Sequence, residues 1–186
     1  MPRLAALDPT EATGKAKELL NGVQETLGMT PNLVRTMANS PAVLEAYLGF
    51  NTALSRGRLG GKVREQIALA VAETNGCEYC LSAHTAIGKK VGLPEEDLLT
   101  SRQWGSSDPK ATAALEFARA ILARRGQVTD ADLTAVRNAG YGDTEIAEIV
   151  ANVALNIFTN YFNLVAETTV DFPRVELGTQ VACVDC

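Results

Sequence analysis

Residues 62–84 read K-V-R-E-Q-I-A-L-A-V-A-E-T-N-G-C-E-Y-C-L-S-A-H, and the organisation of the chain follows from how this stretch divides. Val63, Ile67, Ala70 and Val71 recur at helical spacing and mark one apolar face of a helix from Lys62 to about Asn75, which Gly76 interrupts. Cys77 opens the next helix, which ends near Gly92. The same grammar holds on either side. Asp8-Pro9 opens a helix to about Gly28, Pro31-Asn32 a short second one, and Ser40-Pro41 a third that ends in the Arg-Gly-Arg-Leu-Gly-Gly stretch at 56–61. Pro94 begins another, and helices are expected at about 110–125, 130–139 and from Asp143 to about Thr168. Alternating β-branched runs are almost absent, so the expected class is all-α.

A polar stretch at 105–109 is too short to separate two domains, so a single helical domain over 1–170 is expected, followed by an irregular tail at 171–186 that contains Pro173 and Gly178. Sliding the chain against itself by 83 aligns Glu65 with Glu148, Ala68 with Ala151, Leu81 with Leu164 and Ala83 with Ala166. It also sets Tyr79 on Phe162, Cys77 on Asn160 and Cys80 on Asn163. The reading is an internal pseudo-repeat of helical units, with thiols in one unit and amides in the other.

With 186 residues, 46% hydrophobic and 21% charged, the chain is of ordinary globular size and composition. Its net charge of −5 gives it no overall attraction for nucleic acid or anionic lipid. Residues 129–153 could pass for a helix-turn-helix around Gly140-Tyr141-Gly142, but Asp130, Asp132, Asp143, Glu145 and Glu148 would face phosphates badly, and packing of an α-hairpin is the better account. No stretch approaches the roughly 20 uninterrupted apolar residues of a membrane-spanning helix. The first thirteen residues hold acids and two prolines rather than a signal h-region, so a cytoplasmic location without membrane association is expected. In that compartment paired cysteines are read as catalytic, redox-active or metal-binding.

The chain has one histidine and four cysteines, and the segment from Gly76 to His84 holds the histidine and two of the thiols. At 100° per residue, Cys77 and Cys80 lie about 60° apart around a helix and Cys80 and His84 about 40° apart, so all three share a face. Two thiols one turn apart can close a disulfide, and an imidazole one turn further on can hold or relay the proton of the nearer thiol. The helix dipole favours Cys77 as thiolate and the imidazole favours Cys80, so these considerations leave the attacking sulfur open. Zinc is the metal alternative, since Cys77, Cys80 and His84 make a partial ligand set that lacks a near fourth member. Cys183 and Cys186 form a second C-x-x-C about 100 residues away, either an electron relay or an inert tail. Tyr79, Phe158, Tyr161 and Phe162 are read as core or interface aromatics rather than a substrate pocket.

Glu65 stands twelve positions before Cys77, with eleven residues between it and C-x-x-C-x-x-x-H, and the motif is flanked by Pro31-Asn32, Ser40-Pro41, R-E-Q-I-A-L-A-V-A, N-Y-F-N-L-V-A-E and D-F-P. In this the chain resembles the AhpD-like alkylhydroperoxidases of the carboxymuconolactone decarboxylase superfamily, particularly the longer peroxidase-related members, from about Leu4 to Pro173. The resemblance implies an all-helical AhpD-like fold, a trimeric or hexameric homo-oligomer, and reduction of a hydroperoxide by a dithiol that a dithiol reductant or redox partner protein restores. It implies no cofactor. It assigns Cys80 as the peroxidatic thiol, Cys77 as the resolving thiol, and Glu65 as a base acting through His84 and a water; by position alone Glu73, one turn before Cys77, competes for the base role. Tyr79 stands where some members carry a further histidine. Decarboxylase-like proton chemistry on a lactone acid is the alternative enzyme reading, although that activity needs no dithiol.

Overall fold

The computed structural model describes residues 2–178. Among them, nine α-helices and one 3-10 turn account for all the regular structure, with no strand, as expected for the AhpD-like helical class. They are α1 (Gly14–Leu27), α2 (Asn32–Met37), α3 (Pro41–Ser55), α4 (Gly61–Thr74), α5 (Glu78–Lys90), α6 (Glu95–Thr100), the 3-10 turn Ser101–Gln103, α7 (Pro109–Ala123), α8 (Asp130–Asn138) and α9 (Asp143–Ala166). The start signals act locally: Pro41 and Pro109 occupy first-turn positions, and Thr129 and Asp132 close a capping box on α8.

One start signal fails. The helix expected from Pro9 begins at Gly14, because the Asp8 side chain turns back to accept from the N–H and hydroxyl of Thr10 and closes a separate turn before the helix.

α4 is the central element. Residues 66–72 are buried without a break, so this helix is apolar around its circumference rather than along one stripe. It divides two cores. Leu69 and Ala72 belong to a cluster with α1, α2, α3 and α5, whereas Ile67, Ala70 and Val71 belong to one with α7, α8 and α9. The pair α8–α9 is an α-hairpin that buries Val136, Tyr141, Ile146 and Ile149 in the second cluster.

At 24 residues, α9 is long and apolar enough to cross a membrane by length and composition, and half of its most apolar window is buried within the fold. Its buried face carries Asn152, Asn156, Asn160 and Asn163, which interrupt the apolar run. The two stretches aligned by the offset of 83 differ in form: the first breaks into α4 and α5, while the second is the continuous α9.

α4 ends in a Schellman turn. The Cys77 N–H donates to the Ala72 carbonyl at 2.9 Å and the Gly76 N–H to the Glu73 carbonyl at 3.1 Å, with Gly76 at φ +69°. The chain then re-enters a helix at once, with Cys77 as the N-cap of α5.

Beyond α9, residues 169–178 carry no regular structure but are pinned across α5. Phe172 packs edge-on against Tyr79, Arg174 pairs with Glu78, the Val175 N–H donates to Ser82 Oγ at 3.0 Å, and the Gly178 N–H donates to Glu73 Oε1 at 2.7 Å. Cys183 and Cys186 lie outside the described residues.

Gly76→Ala forces a β-carbon into the left-handed region, which costs about 1–2 kcal/mol. A urea-unfolding free energy lowered by about that amount is expected, and an unchanged value would show that the turn is not under this constraint.

Candidate active site

The short turn at Gly76 brings α4 and α5 side by side, so that residues 19 apart in sequence meet: Glu65 Oε2 lies 2.7 Å from His84 Nδ1. Both side chains are mostly enclosed, at 16% and 22% exposure. Burial opposes the imidazolium, but the charge and hydrogen bond of Glu65 outweigh it and raise the His84 pKa. The carboxylate accepts from Nδ1–H, which directs the other ring nitrogen away from Glu65.

Cys77 and Cys80 are both free thiols and both buried. Their environments drive them apart. Burial works against a Cys80 thiolate, yet it is overcome by a hydrogen bond from Cys77, the positive charge of His84 and the Asn163 amide, with the Asn160 amide close by but outside hydrogen-bond geometry, and Cys80 comes down to about 7. Cys77 moves up, first because its S–H is held in a hydrogen bond to Cys80 and then through burial. As N-cap, Cys77 Sγ also accepts from the Cys80 N–H at 3.3 Å. The position nearest the helix N-terminus therefore holds the proton donor, and the sulfur near His84 holds the charge. Of the two sulfurs, Cys80 is the one whose surroundings favour the thiolate.

The two candidate bases separate clearly. Glu65 faces His84, whereas Glu73 accepts from Arg102 Nε at 2.8 Å and from the Gly178 N–H, which commits it to holding the 3-10 turn and the segment after α9. Cys77, Cys80 and His84 do not gather with a further ligand: among the described residues no three His, Cys, Asp or Glu side chains are grouped to hold a metal ion.

Sequence reasoning missed the contribution of α9. Asn163 Nδ2 donates to Cys80 Sγ at 3.2 Å, and Asn160 Oδ1 accepts from Asn75 Nδ2 at 2.9 Å. The signal was present in the offset of 83, which aligned Cys80 with Asn163, the residue that its sulfur touches. Glu148, the counterpart of Glu65, has different work, accepting from the backbone N–H groups of Arg58 and Leu59 at 2.9 and 2.6 Å. Two polar atoms beside the sulfur, Asn160 Nδ2 and Asn163 Oδ1, are buried without a partner. Each such atom costs about 1–3 kcal/mol.

A cavity of about 220 Å³ reaches Cys80 and His84, walled by Leu33, Tyr47, Tyr79, Ile87 and Phe172. Tyr79 is thus both a core residue and part of a pocket wall, and its hydroxyl accepts from the Leu33 N–H at 3.0 Å. Burial, followed by the charges of Cys80 and Glu65, pushes the Tyr47 phenol up to about 12, so it faces the site protonated. Phe158 and Tyr161 are exposed on α9 and do not line this cavity. A larger cleft of about 640 Å³ between α1 and α3 contains no thiol or imidazole.

Residues 41–122 match the model of the carboxymuconolactone decarboxylase family. Over 85 residues the chain is 26% identical to the uncharacterized protein YdfG of Bacillus subtilis (strain 168), a match covering 44% of this chain and 58% of that one, so it spans little more than half of that relative. The alkylhydroperoxidase AhpD core structure of an uncharacterized peroxidase-related protein from Ralstonia eutropha JMP134 superposes with a TM-score of 0.80 at 25% identity, covering 91% of this chain and 92% of that one. The debrominase Bmp8 bound to 2,3,4-tribromopyrrole shares the fold, with a TM-score of 0.76 at 20% identity and coverage of 90% and 91%.

Iodoacetamide alkylation of Cys80 is expected to rise with pH about a midpoint near 7. Glu65→Gln removes the anion that keeps His84 charged, so the Cys80 midpoint should move up by roughly half to one pH unit. A midpoint left unchanged by that substitution would uncouple Glu65 from the thiol.

Proposed function

We propose that this chain, a member of the AhpD-like carboxymuconolactone decarboxylase superfamily, is a thiol-dependent peroxidase that reduces organic hydroperoxides through Cys80 and Cys77. The observation that carries the reading is the unequal thiol pair. One sulfur is stabilised as thiolate beside an imidazole held by Glu65, and the other keeps its proton one turn away.

The chemistry follows from these states. The Cys80 thiolate attacks the terminal oxygen of the hydroperoxide, so a sulfur–oxygen bond forms and the oxygen–oxygen bond breaks. The departing alkoxide takes the proton of the His84 imidazolium and leaves as an alcohol, with Cys80 as a sulfenic acid. Cys77 then attacks Cys80 Sγ. Neutral His84 takes the Cys77 proton and returns it to the hydroxide that leaves as water, and the disulfide closes. A dithiol donor supplies the two electrons that reopen it, a requirement that fits a cytoplasmic setting. Glu65 acts through His84 by fixing its tautomer and supporting its charge. The apolar walls of the cavity favour an organic hydroperoxide over hydrogen peroxide, because a carbon-rich group fills them with a gain that a small polar peroxide lacks.

Peroxide consumption with a dithiol reductant tests this. Cys80→Ser should abolish turnover, and Cys77→Ser should give a single turnover that leaves a dimedone-reactive sulfenic acid on Cys80. Full activity in Cys80→Ser, or trapping on Cys77 instead, would refute the assignment.

A further inference from the structure

We propose that Asn160 and Asn163 form a receptacle for the sulfenic acid of Cys80, in which Asn160 Nδ2 donates to the sulfenic oxygen and the sulfenic O–H donates to Asn163 Oδ1. The inference rests on the peroxidase reading, which supplies the sulfenic acid, and adds two residues and a function for them.

In the reduced state the polar groups around Cys80 are not all satisfied. Both asparagines are buried, at 0% and 3% exposure. Asn75 holds Asn160 through its Oδ1 and Asn163 Nδ2 contacts the Cys80 sulfur, so neither amide is free to turn toward another partner. One donor, Asn160 Nδ2, and one acceptor, Asn163 Oδ1, remain without partners beside the same sulfur. A thiolate has no proton to offer Asn163 Oδ1, and it already accepts from Asn163 Nδ2 and Cys77. A sulfenic acid brings one acceptor oxygen and one O–H donor, the complement of the two orphaned atoms. Buried polar atoms without partners are rare, and two at one reactive sulfur point to a state of that sulfur in which both are satisfied.

The placement has chemical consequences. The oxygen held by Asn160 is the one that leaves as hydroxide when Cys77 attacks, so the amide donor faces the atom on which negative charge develops. The acceptor on Asn163 keeps the intermediate as the neutral acid. The neutral acid is a poorer nucleophile than the sulfenate toward a second hydroperoxide, and attack by that sulfur on a second oxygen yields the sulfinic acid.

The test uses the full chain carrying Cys77→Ser, treated with cumene hydroperoxide and read by dimedone-type trapping and mass spectrometry. Adding Asn160→Ala or Asn163→Ala should raise the ratio of sulfinic to sulfenic acid at Cys80 by roughly five-fold at two equivalents of peroxide. An unchanged ratio, with sulfenic acid still forming, would overturn the receptacle and leave the peroxidase reading intact. No sulfenic acid in the Cys77→Ser parent would instead overturn the peroxidase reading. A measurement that needs no asparagine variant runs alongside: stoichiometric sulfenylation of the Cys77→Ser protein should raise its melting temperature by a few degrees, because the two orphans gain partners. A fall or no change would count against the receptacle.

Discussion

Because the Cys77 N–H reaches back to the Ala72 carbonyl at 2.9 Å, α4 and α5 are joined by a turn with almost no freedom, and the relative placement of the reactive groups follows from it. Gly76 makes the turn sterically possible at φ +69°. The buried circumference of α4 prevents that helix from rotating to relieve the turn, since its two sides serve two different cores. Glu65 is therefore presented to His84, and Cys77 becomes a helix cap whose sulfur lies beside the Cys80 amide. A one-residue slip at this junction would separate the carboxylate from the imidazole and the thiols from each other.

The second constraint comes from α9. A helix apolar enough to satisfy the length and composition of a membrane span carries four buried asparagines on one face. Asn152 and Asn156 satisfy themselves by donating to backbone carbonyls one turn back, at 2.7 and 2.8 Å. Asn160 and Asn163 do not. Asn163 donates to the Cys80 sulfur and helps hold negative charge there that burial alone would oppose, and the Asn160 amide lies close by with its Nδ2 unpartnered. The pair of cysteines is thus asymmetric for reasons that lie partly outside the C-x-x-C motif. The helix N-terminus favours neither sulfur enough to override the Cys77 proton, His84 and the Asn163 amide.

Much of the fold was legible because helix punctuation is local. Ser40-Pro41 acts over one turn, and a pattern of spacing is enough to see it. Asp8-Pro9 misled for the same reason: its carboxylate found a nearer partner in Thr10 and spent its cap on an isolated turn. Cys77, Cys80 and His84 were readable as a group since they lie within eight residues, and Glu65 through its spacing. What sequence left open was tertiary. The choice between Glu65 and Glu73 depends on Arg102 and on the backbone at Gly178, both far away in the chain. The contribution of Asn160 and Asn163 depends on a contact spanning 83 residues, which the self-alignment registered without revealing that the aligned residues touch.

The central claim is that Cys77 and Cys80 are a redox pair in which Cys80 reacts first. Non-reducing peptide mapping of the wild-type chain after one equivalent of an organic hydroperoxide tests it most directly. Both thiols should be lost together, with a disulfide joining Cys77 to Cys80 within one turnover. Two free thiols at these positions after the peroxide has been consumed would contradict it.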